Sequence, residues 1–299
     1  MIRFEGFTKR YGSHLAVEDL TLSVAGGEIV ALLGPNGSGK TTSLKAAAGL
    51  VLPTSGRVLA GEPGTSTQEP AGRRVISFLP QRVSFPESLT GGEIVEFYRR
   101  LRGAPAGAAR EVLRAASLNG AAGQAVGTYS GGMTQRLGLA VAALPDARAF
   151  LLDEPTSSLD ADGLCAFYGL AERWRREGRA VLFSSHQLGD VERLADRIAI
   201  LVNGRLAAEL GQRELSDRLA ARGIMRVRLD ACPSGLAARL AALAPGARWT
   251  GEEMIIPGPP ALRAAAIDAV RAAGAELRGL TAEEGRLESL YRELVEGSA

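Results

Sequence analysis

The chain has 299 residues, 46% of them hydrophobic and 23% charged, which excludes wholesale disorder and provides for a sizeable core and two domains. A net charge of +2 points to no nucleic-acid partner. No apolar run approaches the ~18 residues that span a bilayer, so a membrane role requires a second chain for the span.

The opening MIRFEGFTKRYG has no apolar core, so no signal peptide is expected there. Cys165 and Cys232 lie far apart and in no CxxC pattern, which argues against a disulfide framework or a zinc site and suits a reducing cytosol. His14 and His186 are too few for a His-rich metal site. The basic residues are almost all Arg. Lys9, Lys40 and Lys45 are the exceptions, which makes a lysine inside a motif conspicuous.

In chain order, IRFEGF, LTLSV and EIVALL read as strands, with Gly26 and Gly27 turning the chain between the last two. EIVALL runs into GPNGSGKT at 34–41, and a helical pattern follows from Thr41 to about Leu50. Strand, Gly-rich loop and helix make the P-loop context. Gly34, Gly37 and Gly39 let several backbone N–H groups face phosphate oxygens, with Pro35, Asn36, Ser38 and Thr42 completing the cradle. Lys40 reaches the β- and γ-phosphates and the Thr41 hydroxyl can ligate Mg²⁺. Tyr11 can stack on an adenine ring, or simply mark a Tyr–Gly turn.

Short strands and turns fill 51–80, and Arg74–Leu79 reads as a strand ending near Gln81. The Gln81 amide can contact Mg²⁺ or an attacking water, and it lies at a domain seam. Residues 88–125 read as mostly helical with breaks at 103–107, a helical insertion in an α/β core. TYSGGMTQR at 128–136 starts a further helix, where Ser130 can cap and Gly131 and Gly132 let backbone N–H groups approach an anion. This is a second phosphate-friendly feature beside the first.

AFLLDEP at 149–155 is an apolar strand ending in Asp153 and Glu154. In a parallel sheet that end is the ligand edge, where Asp153 can support Mg²⁺ and Glu154 can polarise a water. A helix-capping acidic pair is the plain alternative. AVLFSS (180–185), ending at His186, and RIAILVNG (197–204) read as further buried strands. His186 can hydrogen-bond a γ-phosphate or position the water. Alternating strands and helices imply a mainly parallel sheet. After a polar helix at 211–223 the order becomes β-α-β-β-α-β, a ferredoxin-like appendage ending in a helix at about 285–296.

Taken in order, these residues resemble the nucleotide-binding subunit of ATP-binding cassette (ABC) transporters over about residues 1–220. The Walker A motif is GPNGSGKT, the Q-loop Gln81, the signature YSGGM (129–133), Walker B AFLLD with Glu154, the D-loop SSLD (157–160) ending in Asp160, and the H-loop His186. Tyr11 matches the aromatic A-loop position. Met133 stands where the commonest signature has Gln, and Ser158 replaces a frequent Gly, but the phosphate-facing Ser–Gly–Gly is intact.

The resemblance implies an α/β P-loop ATPase core at 1–222, with a helical subdomain at about 82–145, and an accessory domain at 223–299. It implies ATP and Mg²⁺ as cofactors and a homodimer formed head to tail. In that dimer Ser130, Gly131 and Gly132 of one copy clamp the γ-phosphate held by the other copy's Walker A. Further implications are a separate transmembrane permease, a peripheral place on the inner face of the cell membrane, no nucleic-acid partner and no direct copper binding. Within the exporter-type branch the chain looks most similar to the ATPase of the transporter that matures the copper centre of nitrous-oxide reductase. A drug, antibiotic or lipid exporter is the runner-up. A soluble ABC-type ATPase acting on ribosomes or DNA, or another P-loop class such as a GTPase or kinase, is the alternative from a different class. The former usually has two cassettes or long coiled coils, and the latter has no need of the SGG signature.

Overall fold

The computed structural model describes residues 1–297. The chain divides into two compact units, Met1–Leu210 and Gly211–Gly297.

The first unit opens with the hairpin β1 (Ile2–Tyr11) and β2 (His14–Val24), closed by the Tyr11↔His14 pair around Gly12 and Ser13. β3 (Ile29–Leu33) leads into α1 (Lys40–Ala47), followed by β4 (Ser55–Ala60), β5 (Thr65–Ser66), α2 (Pro70–Arg74) and β6 (Ile76–Leu79). The helices α3 (Gly91–Leu101), α4 (Ala108–Ala115) and α5 (Gly131–Ala142) lie between β6 and β7 (Ala149–Asp153). Then come α6 (Ala161–Arg176), β8 (Ala180–Ser184), α7 (Leu188–Leu194), β9 (Arg197–Val202) and β10 (Arg205–Gly211).

A six-stranded sheet has the order β10-β9-β3-β8-β7-β6, in which β9, β3, β8, β7 and β6 run parallel. Every residue of β3, β7 and β8 is buried. A parallel sheet covered on both faces needs such continuous apolar runs. Val30, Leu32, Leu151 and Leu182, alternate residues on these strands, share a core with α1 and with Ile2, Phe4, Phe7 and Leu20 of the antiparallel sheet β2-β1-β4-β5. On the opposite face Phe150 stacks on Trp174 of α6 with centroids 3.9 Å apart and planes 8° from parallel. The helical block has its own core of Ile94, Val95, Val112, Leu113, Leu137 and Ala140.

In this unit three expectations need correction. β2 starts at His14, well before Leu20. Asp19, at φ 50°, interrupts the alternation that marks a strand in sequence. Arg74 ends α2 and lies outside β6, because Pro70 at the first helical position starts a short helix there. Helix does not continue to 125. α4 ends at Ala115, Ser117 is left-handed at φ 55°, and residues 116–130 run through turns and a 3-10 turn at Val126–Thr128.

The second unit contains α8 (Gln212–Ala221), β11 (Ile224–Leu229), α9 (Leu236–Leu243), β12 (Arg248–Trp249), β13 (Glu253–Pro257), α10 (Ala261–Ala272), β14 (Leu277–Glu283) and α11 (Leu287–Glu296). Its sheet has the order β12-β13-β11-β14 with every pair antiparallel, which is the ferredoxin-like arrangement. Met225, Val227, Met254 and Ile256 pack beneath Leu236, Leu240 and Val270 of α9 and α10. The unit begins at Gly211, earlier than the expected boundary after 222, because α8 packs with α11. Among the described residues no helix is long and apolar enough to cross a membrane.

Candidate functional site

The site is a cleft of about 480 Å³ at the C-terminal edge of the parallel sheet. Tyr11, the loop from Asn36 to Thr42, Gln81 and Glu154 line it. The loop must turn from β3 into α1 within a few residues, and Gly39 makes this possible. It sits at φ 99°, and a Cβ there would lie 2.6 Å from the Ala16 carbonyl oxygen. The N–H groups of Lys40, Thr41 and Thr42 open α1 and have no acceptor within the helix. They and the helix dipole make the cleft floor attractive to an anion.

Lys40 Nζ donates to the carbonyl oxygens of Gly34 at 2.7 Å and Pro35 at 3.1 Å. Burial depresses its ammonium below the ordinary lysine value, against the opposing pull of Glu154 and Asp153. A buried cation aimed into a cleft gains most from an incoming phosphate.

Beside it, the Thr41 hydroxyl donates to Asp153 Oδ1 at 3.2 Å. Asp153 Oδ1 also accepts from Ser184 Oγ at 2.7 Å, and Ser184 Oγ in turn accepts from the Glu154 N–H at 2.9 Å. Ser184 thus ties the Asp153 carboxylate and the Glu154 backbone to the end of β8. Glu154 has φ 49°, an uncommon conformation for a side chain of its size, and is held in it by that contact. His186 Nδ1 lies 3.0 Å from Glu154 Oε2. Glu154 is buried and His186 is 56% exposed at its side chain, so the pair spans from the sheet to open solvent.

Thr41 and Asp153 offer two hard oxygen donors side by side, the donor chemistry that Mg²⁺ takes from a protein while phosphates and waters fill the remaining positions. Among the described residues there is no cluster of three or more His, Cys, Asp or Glu able to cage a metal unaided. The residues present fit a nucleotide-borne ion.

The SGG motif is elsewhere. Ser130 caps α5, its Oγ accepting from the Met133 N–H at 3.2 Å, and Ser130 and Gly131 are exposed. Neither they nor Gly132 nor Asp160 lines the cleft. Asp160 caps α6, accepting from the Gly163 N–H at 2.8 Å. A Cβ on Gly132 would lie 2.8 Å from the Ser158 carbonyl oxygen, so the signature and the D-loop touch within one chain. Tyr11 is 47% exposed, with Lys9 Nζ 4.8 Å from its ring centroid.

Sequence reasoning missed three contributors. Ser184 is one of several serines, and nothing local marks it as the bridge between Asp153 and Glu154. His14 and Ala16 line the cleft because the hairpin folds them over it, a long-range effect that no local pattern records.

Comparisons with known proteins agree with this geometry. The family model for ABC transporter matches residues 17–157. An uncharacterised ABC transporter ATP-binding protein of Bacillus subtilis is 40% identical over 212 residues, 69% of this chain and 70% of its own. The Nod factor export ATP-binding protein I of Burkholderia orbicola is 38% identical over 213 residues, 70% of each chain. Among solved structures, a dimeric ATP-binding cassette in a post-hydrolysis state with ADP and Pi matches with a TM-score of 0.64 at 28% identity, over 71% of this chain and 98% of that one.

Proposed function

The chain belongs to the ABC transporter family as an ATP-binding subunit and ATP hydrolase, and on that premise we propose that it works as a head-to-tail homodimer driving export through a separate permease. The observation that carries this is the position of the signature. Ser130 and Gly131 head a capped, exposed helix N-terminus that does not line the chain's own phosphate cleft. Its anion then comes from a second copy, and each dimer holds two composite sites. The matching solved cassette is dimeric, which supports a dimer here.

In this reading the loop at Gly34–Thr42 and Lys40 bind the β- and γ-phosphates. Thr41 and Asp153, with Gln81, hold Mg²⁺, which when bound neutralises charge on the phosphate oxygens. Glu154 orients and polarises the attacking water while His186, 3.0 Å from it, fixes the carboxylate and faces the γ-phosphate. Tyr11 stacks on the adenine.

A second cleft, of about 330 Å³, lies between the end of β6 and the helical block. Phe78, Val83, Phe85, Tyr98 and Val141 give it apolar walls, with Arg82 and Arg102 among its lining. It suits a helix of the permease, which would hold the subunit peripherally on the inner face of the cell membrane. For cargo, the narrower proposal is the transporter that matures the copper centre of nitrous-oxide reductase. Export of another molecule is the second reading, favoured by the relative named for Nod factor export.

Glu154→Gln tests the core of the proposal. The carboxamide preserves shape but removes the base, so the variant is expected to bind ATP, lose hydrolysis by about 100-fold or more, and run as an ATP-dependent dimer in size-exclusion chromatography. A monomer at saturating ATP would sink the head-to-tail dimer. The same variant, tagged and recovered from native membranes with ATP, is expected to bring down a multi-span permease. Copper-maturation proteins beside it would decide the cargo.

A further inference from the structure

Asp190 takes no part in the chemistry above, yet it is only 3% exposed and carries two short hydrogen bonds. Its Oδ2 accepts from Thr156 Oγ1 at 2.5 Å and its Oδ1 from Tyr168 Oη at 2.6 Å. Thr156 lies two residues beyond Glu154 and is 4% exposed, Asp190 lies on α7 four residues beyond His186, and Tyr168 lies on α6. One buried carboxylate therefore joins the turn that follows Glu154, the helix that follows His186, and a second helix, α6.

A buried carboxylate is costly unless its oxygens are satisfied, and bonds between hydroxyls and a carboxylate are short and directional. This one gains more than satisfaction. The Glu154–Thr156 segment is gripped at each residue in turn. Ser184 Oγ accepts from the Glu154 N–H at 2.9 Å, Gln135 Nε2 of α5 donates to the Pro155 carbonyl at 3.3 Å, and Asp190 accepts from Thr156. A side chain at φ 49° persists only where its surroundings over-determine it, and the Asp190 contact supplies the grip on the far side of Glu154.

We propose that Asp190 is a positioning residue for hydrolysis, holding Glu154 through Thr156 and His186 through α7 so that the 3.0 Å pair keeps its geometry. The proposal rests on the reading of Glu154 and His186 as the pair that handles the water.

The test uses the full chain, with steady-state ATP hydrolysis and the binding of a fluorescent ATP analogue. Thr156→Val keeps the shape and deletes the hydroxyl, and kcat is expected to fall about 10-fold while analogue affinity stays within about 2-fold. Thr156→Ser restores the hydroxyl and is expected to return kcat to within about 2-fold of wild type. Tyr168→Phe deletes the second donor without touching the Glu154 turn and is expected to lower kcat about 3-fold, which keeps the test alive if Thr156→Val fails to fold. A wild-type kcat in Thr156→Val overturns the proposal, as does a loss that Thr156→Ser leaves unrepaired or one matched by equal loss of analogue binding. If Thr156→Val misfolds, a wild-type kcat in Tyr168→Phe overturns it. Glu154→Gln runs beside these as the control. If it hydrolyses ATP like wild type, the reading of the pair itself has failed. If it is silent while Thr156→Val is active, the role of Asp190 alone has failed.

Discussion

Tyr168 reports the state of the buried network from a single atom. Burial and its bond to Asp190 push the phenol up to about 12, from an ordinary value of about 10. The protonated form is the one the fold favours. The associated stability is fully present below about pH 10 and is lost as pH rises through about 12. Across that window the unfolding midpoint of the wild type is expected to fall more steeply than that of Tyr168→Phe. Parallel slopes would show that the phenol ionises alike in the folded and unfolded chain. Tyr168 and Asp190 also mark the limit of what the sequence discloses about the site. Lys40, Thr41, Asp153, Glu154 and His186 stand at strand ends or in a Gly-rich loop, so local pattern and order along the chain locate them. Ser184 and Asp190 act through contacts 30 and 34 residues away, made only when β8 and α7 pack beside β7.

The elements that hold the site differ in how strongly they are held. α6 docks on the sheet through Trp174, which is fully buried and stacked on Phe150. Trp174→Ala removes that stack and leaves a cavity, an expected loss of about 3–5 kcal/mol. For a unit of this size that is a fall of about 6–20 °C in the midpoint of its calorimetric transition. α3 depends on a capping box, in which Thr90 Oγ1 accepts from the Glu93 N–H at 3.2 Å and Glu93 Oε2 accepts from the Thr90 N–H at 2.8 Å. Thr90→Ala is expected to cost about 1 kcal/mol, so calorimetry ranks the two substitutions well apart; equal shifts would mean that the helical block sets the stability of the whole unit. The same contrast explains which elements the sequence discloses. β3, β7 and β8 are continuous apolar runs whose burial is complete, and they read correctly. Residues 116–125 are Ala- and Gly-rich and fall in the stretch read as mostly helical, but Ser117 turns left-handed and the segment is organised by tertiary bonds such as Gly92 N–H to the Ala122 carbonyl at 2.7 Å.

For the whole molecule the informative position is the boundary between the units. Composition and pattern group the helix at 211–223 with the ATPase core, whereas the structure places α8 in the second unit. The reasons are local to that unit. Arg222 pairs with Glu293 of α11 at 2.6 Å, and the Gly285 N–H donates to the Leu219 carbonyl at 2.9 Å. A ten-residue helix has little stability of its own in water and depends on such packing. A chain ending at Arg222 keeps α8 but loses α11, so residues 212–221 are expected to exchange their amide hydrogens as unstructured chain does. In the full chain those same amides are expected to be protected. A chain ending at Leu210 removes only Gly211, the last residue of β10, from the first unit's sheet and is expected to bind ATP as the full chain does. Protection surviving at 212–221 without α11 would assign α8 to the ATPase unit after all. Loss of ATP binding at the Leu210 end point would mean that the cleft depends on the second unit, and the two units would then have to be treated as one folding body.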